Sequence, residues 1–290
     1  MFCLGATKGG TSWLHDHLSQ HPDCHFRTIK ELHYFTMTRP AHFGAALKRL
    51  KAELERLKAR LAGAPEAMRA RLERRIADLR DWRAVLARRQ TDAAAYRAFL
   101  TAGRQGQAVV GDITPAYALL PDERLSEMAA IAPDVRAVYL MRDPVARLWS
   151  HVRMIAQRTR PDAFADEARA LLARILSGDL SGEGQGIVAR GDYAAVLPRL
   201  ARAFAPGRLL VMFTEEMMTL PGLARLAEFL GIRPGAADLD RRVHEGTPLK
   251  MTDAERRAAR AWLEPQYAYV SGQYPSLPQT WRAHMEEGFA

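Results

Sequence analysis

Gly5-Ala6-Thr7-Lys8-Gly9-Gly10-Thr11-Ser12 follows directly on the apolar run Met1-Phe2-Cys3-Leu4. The pattern predicts a short strand, a glycine-rich turn and a helix opening at Thr11 or Ser12. Glycine lets a backbone fold tightly around an anion. The unpaired N–H groups and the positive dipole end of the next helix then face that anion. Lys8, Thr7, Thr11 and Ser12 add a cation and hydroxyls, so the loop is a phosphate cradle by composition as well as shape. The plainer alternative is a turn that merely joins strand to helix.

A second segment favours the cradle. Val135 to Met141 is an apolar, β-rich run that reads as a buried strand. Arg142-Asp143-Pro144 follows, with Asp143 suited to cap a helix and Pro144 to its first turn. This puts Arg142 at the C-terminal end of a strand, where open α/β sheets bind ligands. Ser150 lies two turns into the helix, and an arginine fork and a hydroxyl can together hold a terminal phosphate. A nucleotide-triphosphate loop would end Gly-Lys-Ser/Thr. Here Thr11 follows Gly10 and the lysine sits earlier, at Lys8.

Gly5 to Leu14 taken with Tyr139 to His151 resembles the sulfotransferase family that uses 3′-phosphoadenosine 5′-phosphosulfate (PAPS). Three further stretches resemble its glycan-modifying, heparan-sulfate-type branch: Lys30-Glu31-Leu32-His33-Tyr34-Phe35, Gly111 to Tyr117, and a C-terminal part running from Arg190-Gly191-Asp192-Tyr193 to Ile232. The resemblance implies that Gly5, Ala6, Thr7, Lys8, Gly9, Gly10, Thr11, Ser12 and Trp13 hold the 5′-phosphosulfate side. It assigns Arg142 and Ser150 to the 3′-phosphate, with Arg190 and Tyr193 near the nucleotide. Lys8 would neutralise the leaving oxygen, and Glu31, with His33 as alternative, would be the base. Some relatives carry a lysine just before T-P-x-Y; here that position is Ile113. Its role is absent or supplied elsewhere.

At 290 residues, with 48% hydrophobic residues, the chain can build a sizeable core. No run approaches the roughly eighteen apolar residues of a membrane span. The N-terminal residues show no signal-peptide pattern. Cys3 and Cys24 are too few for a disulfide framework. Together these suggest a cytoplasmic protein, peripheral to a membrane if its basic segment docks there. No metal is expected, since His and Cys show no ligand spacing; His15, His17, His21 and His25 read as surface or helix-end residues.

Strand and helix patterns alternate, which implies an α/β fold: a P-loop-like open, mostly parallel sheet flanked by helices. Strands are expected at 1–4, 24–27, 108–112, 135–141 and 208–213. Helices are expected near 12–20, 122–131, 144–157, 163–176, 192–204, 221–230 and 252–270, with 177–191 a loop. Residues 40–90 differ in kind. Leu47, Leu50, Leu54, Leu57 and Leu61 form a heptad seam, Gly63-Ala64-Pro65 breaks it, and Met68, Leu72, Ile76, Leu79, Trp82 and Leu86 form a second. The expectation is a helical hairpin inserted into an α/β domain made of 1–39 and 91–290, with seams that satisfy each other. Between 48 and 89 stand fourteen Lys or Arg against six acids, a surplus of +8 in a chain of net charge +9. Such a surface suits an anionic acceptor, membrane headgroups or an acidic partner, or is only a solvated face. No aromatic platform interleaves the basic residues, so specific nucleic-acid binding is not expected.

The activity that the resemblance implies is transfer of a sulfuryl group to a hydroxyl or amine of an acceptor, with the K-E-x-H-Y-F resemblance favouring a carbohydrate or glycolipid and a lipid or small metabolite left open. The competing readings are a P-loop kinase, which would need Mg²⁺, and a non-catalytic nucleotide-binding scaffold.

Overall fold

The computed structural model describes residues 1–236, 238–239 and 246–286. In chain order the elements are β1 (Phe2–Gly5), α1 (Thr11–Ser19), β2 (Cys24–His25), α2 (Pro40–Ala62), α3 (Glu66–Leu86), α4 (Ala93–Thr101), β3 (Val109–Val110), β4 (Asp112–Ile113) and α5 (Asp122–Ala129). Then come β5 (Ala137–Met141), α6 (Pro144–Thr159), α7 (Phe164–Leu176), α8 (Glu183–Ala189), α9 (Tyr193–Ala203), β6 (Leu209–Phe213), α10 (Thr214–Met217), α11 (Leu220–Leu230), α12 (Asp253–Gln273) and α13 (Gln279–Glu286).

The main sheet has the order β4-β1-β5-β6, and every pairing in it is parallel. The register sets Phe2 opposite Asp112 on one side and Ala137 on the other, and runs Ala137 to Met141 along Leu209 to Phe213. After β1 the chain leaves to one side for β4 and returns to the other for β5. The strand order therefore reverses around β1, and a crevice opens at the strands' C-terminal ends. β5 is buried at every position, as expected of a strand covered on both faces.

The expected fold class is the one observed, with some differences of detail. The 108–112 run divides: Val109–Val110 pairs with β2 in a separate two-stranded sheet, while Asp112–Ile113 joins β1. Strand 24–27 is only two residues long. The stretch 177–191 is not all loop, since Glu183–Ala189 forms α8, where Ile187 and Val188 supply the apolar contacts that its glycines hide. α4 and α13 carry short, Ala-rich or mixed patterns too weak to read alone. His21 is buried, its Nε2 2.9 Å from the Arg233 carbonyl oxygen, rather than at the surface.

Residues 40–62 and 66–86 do form a helical hairpin. Its distal part packs on itself through Leu54, Leu57, Leu72, Ile76 and Leu79. Its proximal part does not: Phe43, Ala46, Trp82 and Leu86 join the main core beside Tyr34, Tyr96 and Phe99. α3 also grips the chain after β2. Asp78 accepts from the Thr28 N–H at 2.6 Å and the Thr28 hydroxyl at 2.7 Å, and pairs with Arg27 at 3.0 Å. Both ionic side chains are nearly buried. Asp78→Ala is expected to cost about 3 kcal/mol, because it leaves the Thr28 N–H and hydroxyl without their acceptor and takes from the Arg27 guanidinium one of its two carboxylates, the other being Asp81 at 2.5 Å. Urea denaturation measures this, and a loss under about 1 kcal/mol would mean that Arg27 is satisfied by Asp81 alone.

Candidate active site

A cleft of about 1410 Å³ opens at the C-terminal ends of the main-sheet strands. Thr7, Lys8, Gly10, Thr11, Ser12 and Trp13 line it from the loop after β1. Arg142, Ser150, His151 and Arg153 line it from the end of β5 and from α6. Arg190 enters from the end of α8, and Thr214 and Glu215 from the end of β6.

The loop is built as its glycines require. Gly10 caps α1 with φ 84°, a left-handed conformation that favours glycine. A Cβ at Gly9 would sit 2.8 Å from the Leu140 carbonyl oxygen, so no other residue lets the loop lie this close to β5. No side chain caps α1 and its first turn holds no acid, which leaves its leading N–H groups to a ligand. Two neighbouring strand ends hold the loop. Arg142 donates to the Lys8 carbonyl at 3.1 Å, and the Thr214 hydroxyl lies 2.8 Å from the Gly9 carbonyl and 2.9 Å from that of Met141.

Asp143 caps α6 by accepting from Ala146 N–H at 2.8 Å, with Pro144 in the first turn, as its sequence implies. Its other oxygen accepts from the Tyr267 hydroxyl at 2.6 Å and lies 2.9 Å from His284 Nδ1. Glu215 accepts from the Asp143 N–H at 3.2 Å, and burial raises its pKa. Tyr193 does not line the cleft. It is buried behind Arg142, donating to that residue's carbonyl at 2.6 Å and accepting from its N–H at 3.1 Å. Gly5, Ala6 and Gly9 form the floor of the loop rather than its lining; Ala6 N–H donates to Leu140 at 2.7 Å. Trp13 stacks on His17, ring centroids 5.2 Å apart.

Lys30, Glu31 and His33 reach the same cleft from the segment after β2. Glu31 accepts from Lys30 Nζ at 2.5 Å, and its other oxygen lies 3.6 Å from His33 Nε2. Burial pushes the Glu31 pKa up, but the His33 contact and the Lys30 charge outweigh it and bring the value down to about 2. Lys8 is lowered by burial and by the nearby charges of Arg142, Arg153 and Lys30.

Of the residues singled out from the sequence, Thr7, Lys8, Gly10 to Trp13, Glu31, His33, Arg142, Ser150 and Arg190 lie along one cleft, and Gly5, Ala6, Gly9 and Tyr193 do not line it. Arg49, Arg153, Arg158, Thr214, Glu215 and His284 line it too and were not singled out. Thr214 and Glu215 could have been found, since they follow directly on a buried strand; Arg49 and His284 come from distant helices and leave no local signal. Ile113, where some relatives have lysine, is 1% exposed and packed in the core. Cations from several elements crowd the cleft, which fits a ligand bearing several negative charges. Among the described residues no group of three or more His, Cys, Asp or Glu could hold a metal ion, and no helix is long and apolar enough to cross a membrane.

A family model described as "Sulfotransferase family" matches residues 1–233, and the chain belongs to that family. Its fold is similar to a crystal structure of a sulfotransferase from Alicyclobacillus acidocaldarius, with TM-score 0.63, 21% identity and 97% of each chain covered. It is also similar to the sulfotransferase domain of the Synechococcus PCC 7002 olefin synthase, with TM-score 0.50, 17% identity, and 96% of this chain and 94% of that one covered. No curated protein matches the sequence.

His151 provides a pH test of the site's packing. Burial, then Arg147, Arg190 and Lys8, push its pKa from 6.5 down to about 3, so it is neutral when folded. The unfolded chain takes up a proton near pH 6.5 that the folded chain refuses. This contribution to stability is therefore present above pH 6.5 and is lost as pH falls toward 3. At pH 5 the loss is on the order of 2 kcal/mol. His151→Gln should flatten the slope of unfolding free energy between pH 7 and 5, measured by urea titration; an unchanged slope would assign the acid sensitivity to other groups.

Proposed function

We propose that this protein transfers a sulfuryl group from PAPS to a hydroxyl or amine of an acceptor. The observation that carries the reading is the meeting of two anion sites in one cleft: the glycine loop after β1, and Arg142 with Ser150 at the end of β5. The first suits a 5′-phosphosulfate and the second a 3′-phosphate, the group that distinguishes this donor from ATP. Trp13 and Arg190 line the cleft between and beside them, and Tyr193 acts as the positioning residue behind Arg142.

In the transfer, the acceptor oxygen or nitrogen forms a bond to sulfur as the bond from sulfur to the bridging oxygen of the 5′-phosphate breaks. The electron pair leaves on the phosphate, and Lys8 meets that charge. The N–H groups of Gly10 and Thr11, with the Thr11 and Ser12 hydroxyls, hold the departing phosphate; the Gly9 N–H, first expected to join them, is used by the Ala6 carbonyl at 2.9 Å. Glu31 takes the acceptor proton, with His33 beside it. Catalysis of this kind depends chiefly on positioning and on charge already oriented toward the transition state. The acceptor is a carbohydrate or glycolipid, on the strength of the Lys30–Phe35 motif. Arg49, reaching the cleft from α2, extends the basic face of the hairpin to the acceptor side, which suits an anionic acceptor or partner.

3′-Phosphoadenosine 5′-phosphate (PAP) should raise the melting temperature well above the shift given by ADP, without Mg²⁺. Arg142→Ala or Ser150→Ala should erase the difference. Equal shifts from the two nucleotides, or a requirement for Mg²⁺, would favour a kinase.

Turnover, read as mass gain of one sulfo group on a panel of acceptors, separates chemistry from binding. Lys8→Ala should lower kcat about a hundredfold or more while PAP affinity changes little. Glu31→Gln should retain PAP binding and lose about a hundredfold or more in rate. A dead His33→Ala beside an active Glu31→Gln would transfer the role of base to His33.

A further inference from the structure

Lys30 has no role in the transfer as described above, yet it lines the same cleft as Lys8, Glu31 and Arg142. Its Nζ donates to Glu31 at 2.5 Å, and its side chain is 20% exposed. It is near enough to Lys8 to weigh on that residue's charge.

The backbone around it is held at both ends. Thr28 is fixed by Asp78, and its carbonyl accepts from Arg75. Glu31 N–H donates to the Ile113 carbonyl at 3.2 Å. Glu31 and His33 both take left-handed conformations, φ 66° and 58°, which non-glycine residues adopt at a cost. Such a segment keeps its carboxylate in place. The lysine is different, because its ammonium rides on a flexible four-carbon stem with three rotatable donors.

We propose that Lys30 is a second catalytic cation, which moves from the Glu31 carboxylate to the sulfuryl oxygens of the bound donor and so frees Glu31 to accept the acceptor proton only when the donor is present. The proposal rests on Glu31 being the base. No new bond is made or broken by Lys30: it stays protonated, exchanging one anionic hydrogen-bond partner for another, while the proton from the acceptor goes to Glu31 as above.

Paired with Lys30, Glu31 is a weak base, since its pKa is held near 2. The charged groups around it are Lys30 and His33 on its own segment, Lys8 from the phosphate loop, Arg49 from α2, and the buried Asp112 of β4 beneath His33. Of these, Lys30 alone combines a direct contact with Glu31 and a flexible stem in the lining of the cleft. Losing that contact removes one of the two interactions that lower the Glu31 pKa, so the carboxyl should rise toward its ordinary range.

Carbon-detected NMR of the labelled Glu31 carboxyl tests this without turnover, using PAPS in the absence of acceptor and PAP, which lacks the sulfuryl group. In the wild-type protein PAPS should raise the Glu31 midpoint by about one unit or more, and PAP should raise it less. In Lys30→Met the midpoint should already be higher in the free protein, and PAPS should add less than it does in the wild type. Lys30→Arg should restore part of the PAPS effect. Lys30→Met should also lower kcat with little change in the acceptor KM. A Glu31 midpoint that PAPS leaves unmoved in the wild-type protein overturns the proposal, as does an equal PAPS-induced rise in Lys30→Met. The donor's own charge also raises the Glu31 midpoint, so the deciding quantity is the rise with PAPS over that with PAP, which the exchange makes larger in the wild type and in Lys30→Arg than in Lys30→Met. Near-normal turnover by Glu31→Gln would instead overturn the assignment of the base, a separate failure.

Discussion

The loop between β1 and α1 is fixed from below by the ends of the neighbouring strands. Arg142 and Thr214, at the ends of β5 and β6, take the Lys8 and Gly9 carbonyls, and the Ala6 and Gly9 N–H groups are used by the Leu140 and Ala6 carbonyls. The donors left to a ligand are those at the uncapped N-terminus of α1. The constraint comes from the parallel sheet: β1, β5 and β6 end side by side, so groups far apart in sequence arrive together at one edge. A glycine at position 9 is the condition for that close approach.

The hairpin of α2 and α3 has two parts with different physical roles. Its distal leucines satisfy one another. Its base is part of the main core, and its Asp78 and Arg75 hold the chain at Arg27 and Thr28, directly before Lys30, Glu31 and His33. The insertion therefore bears on where the carboxylate side of the cleft sits. It also brings Arg49 to the cleft wall while most of its other basic residues stay in solvent.

The C-terminal helices close the site from behind. Asp143 caps α6 with one oxygen and receives Tyr267 of α12 and His284 of α13 on the other. Gln266 of α12 accepts from the Tyr193 N–H at 2.8 Å, and Tyr193 in turn holds both backbone groups of Arg142. Arg142 is thus set by a chain of hydrogen bonds that begins beyond residue 233, where the family match ends.

What the sequence determined by itself was local. The glycine spacing, the strand before it and the helix after it specify the loop, and Asp143-Pro144 specify a helix start, because turns and caps depend on residues a few positions apart. The heptad leucines likewise specify two paired helices. Tertiary structure decided the rest. The run 108–112 divides between two sheets because two different neighbours, β2 and β1, compete for its backbone. Trp82 and Leu86 continue the hairpin seam in sequence but join the main core, since only the packed fold brings Phe99 and Tyr34 to them. Tyr193 has a motif position near the nucleotide, yet lies behind Arg142 because its hydroxyl satisfies buried backbone groups there. The pairing of Lys30 with Glu31 rather than with solvent depends on backbone angles at Glu31 and His33 that neighbouring residues do not prefer and that contacts from α3 and β4 hold in place.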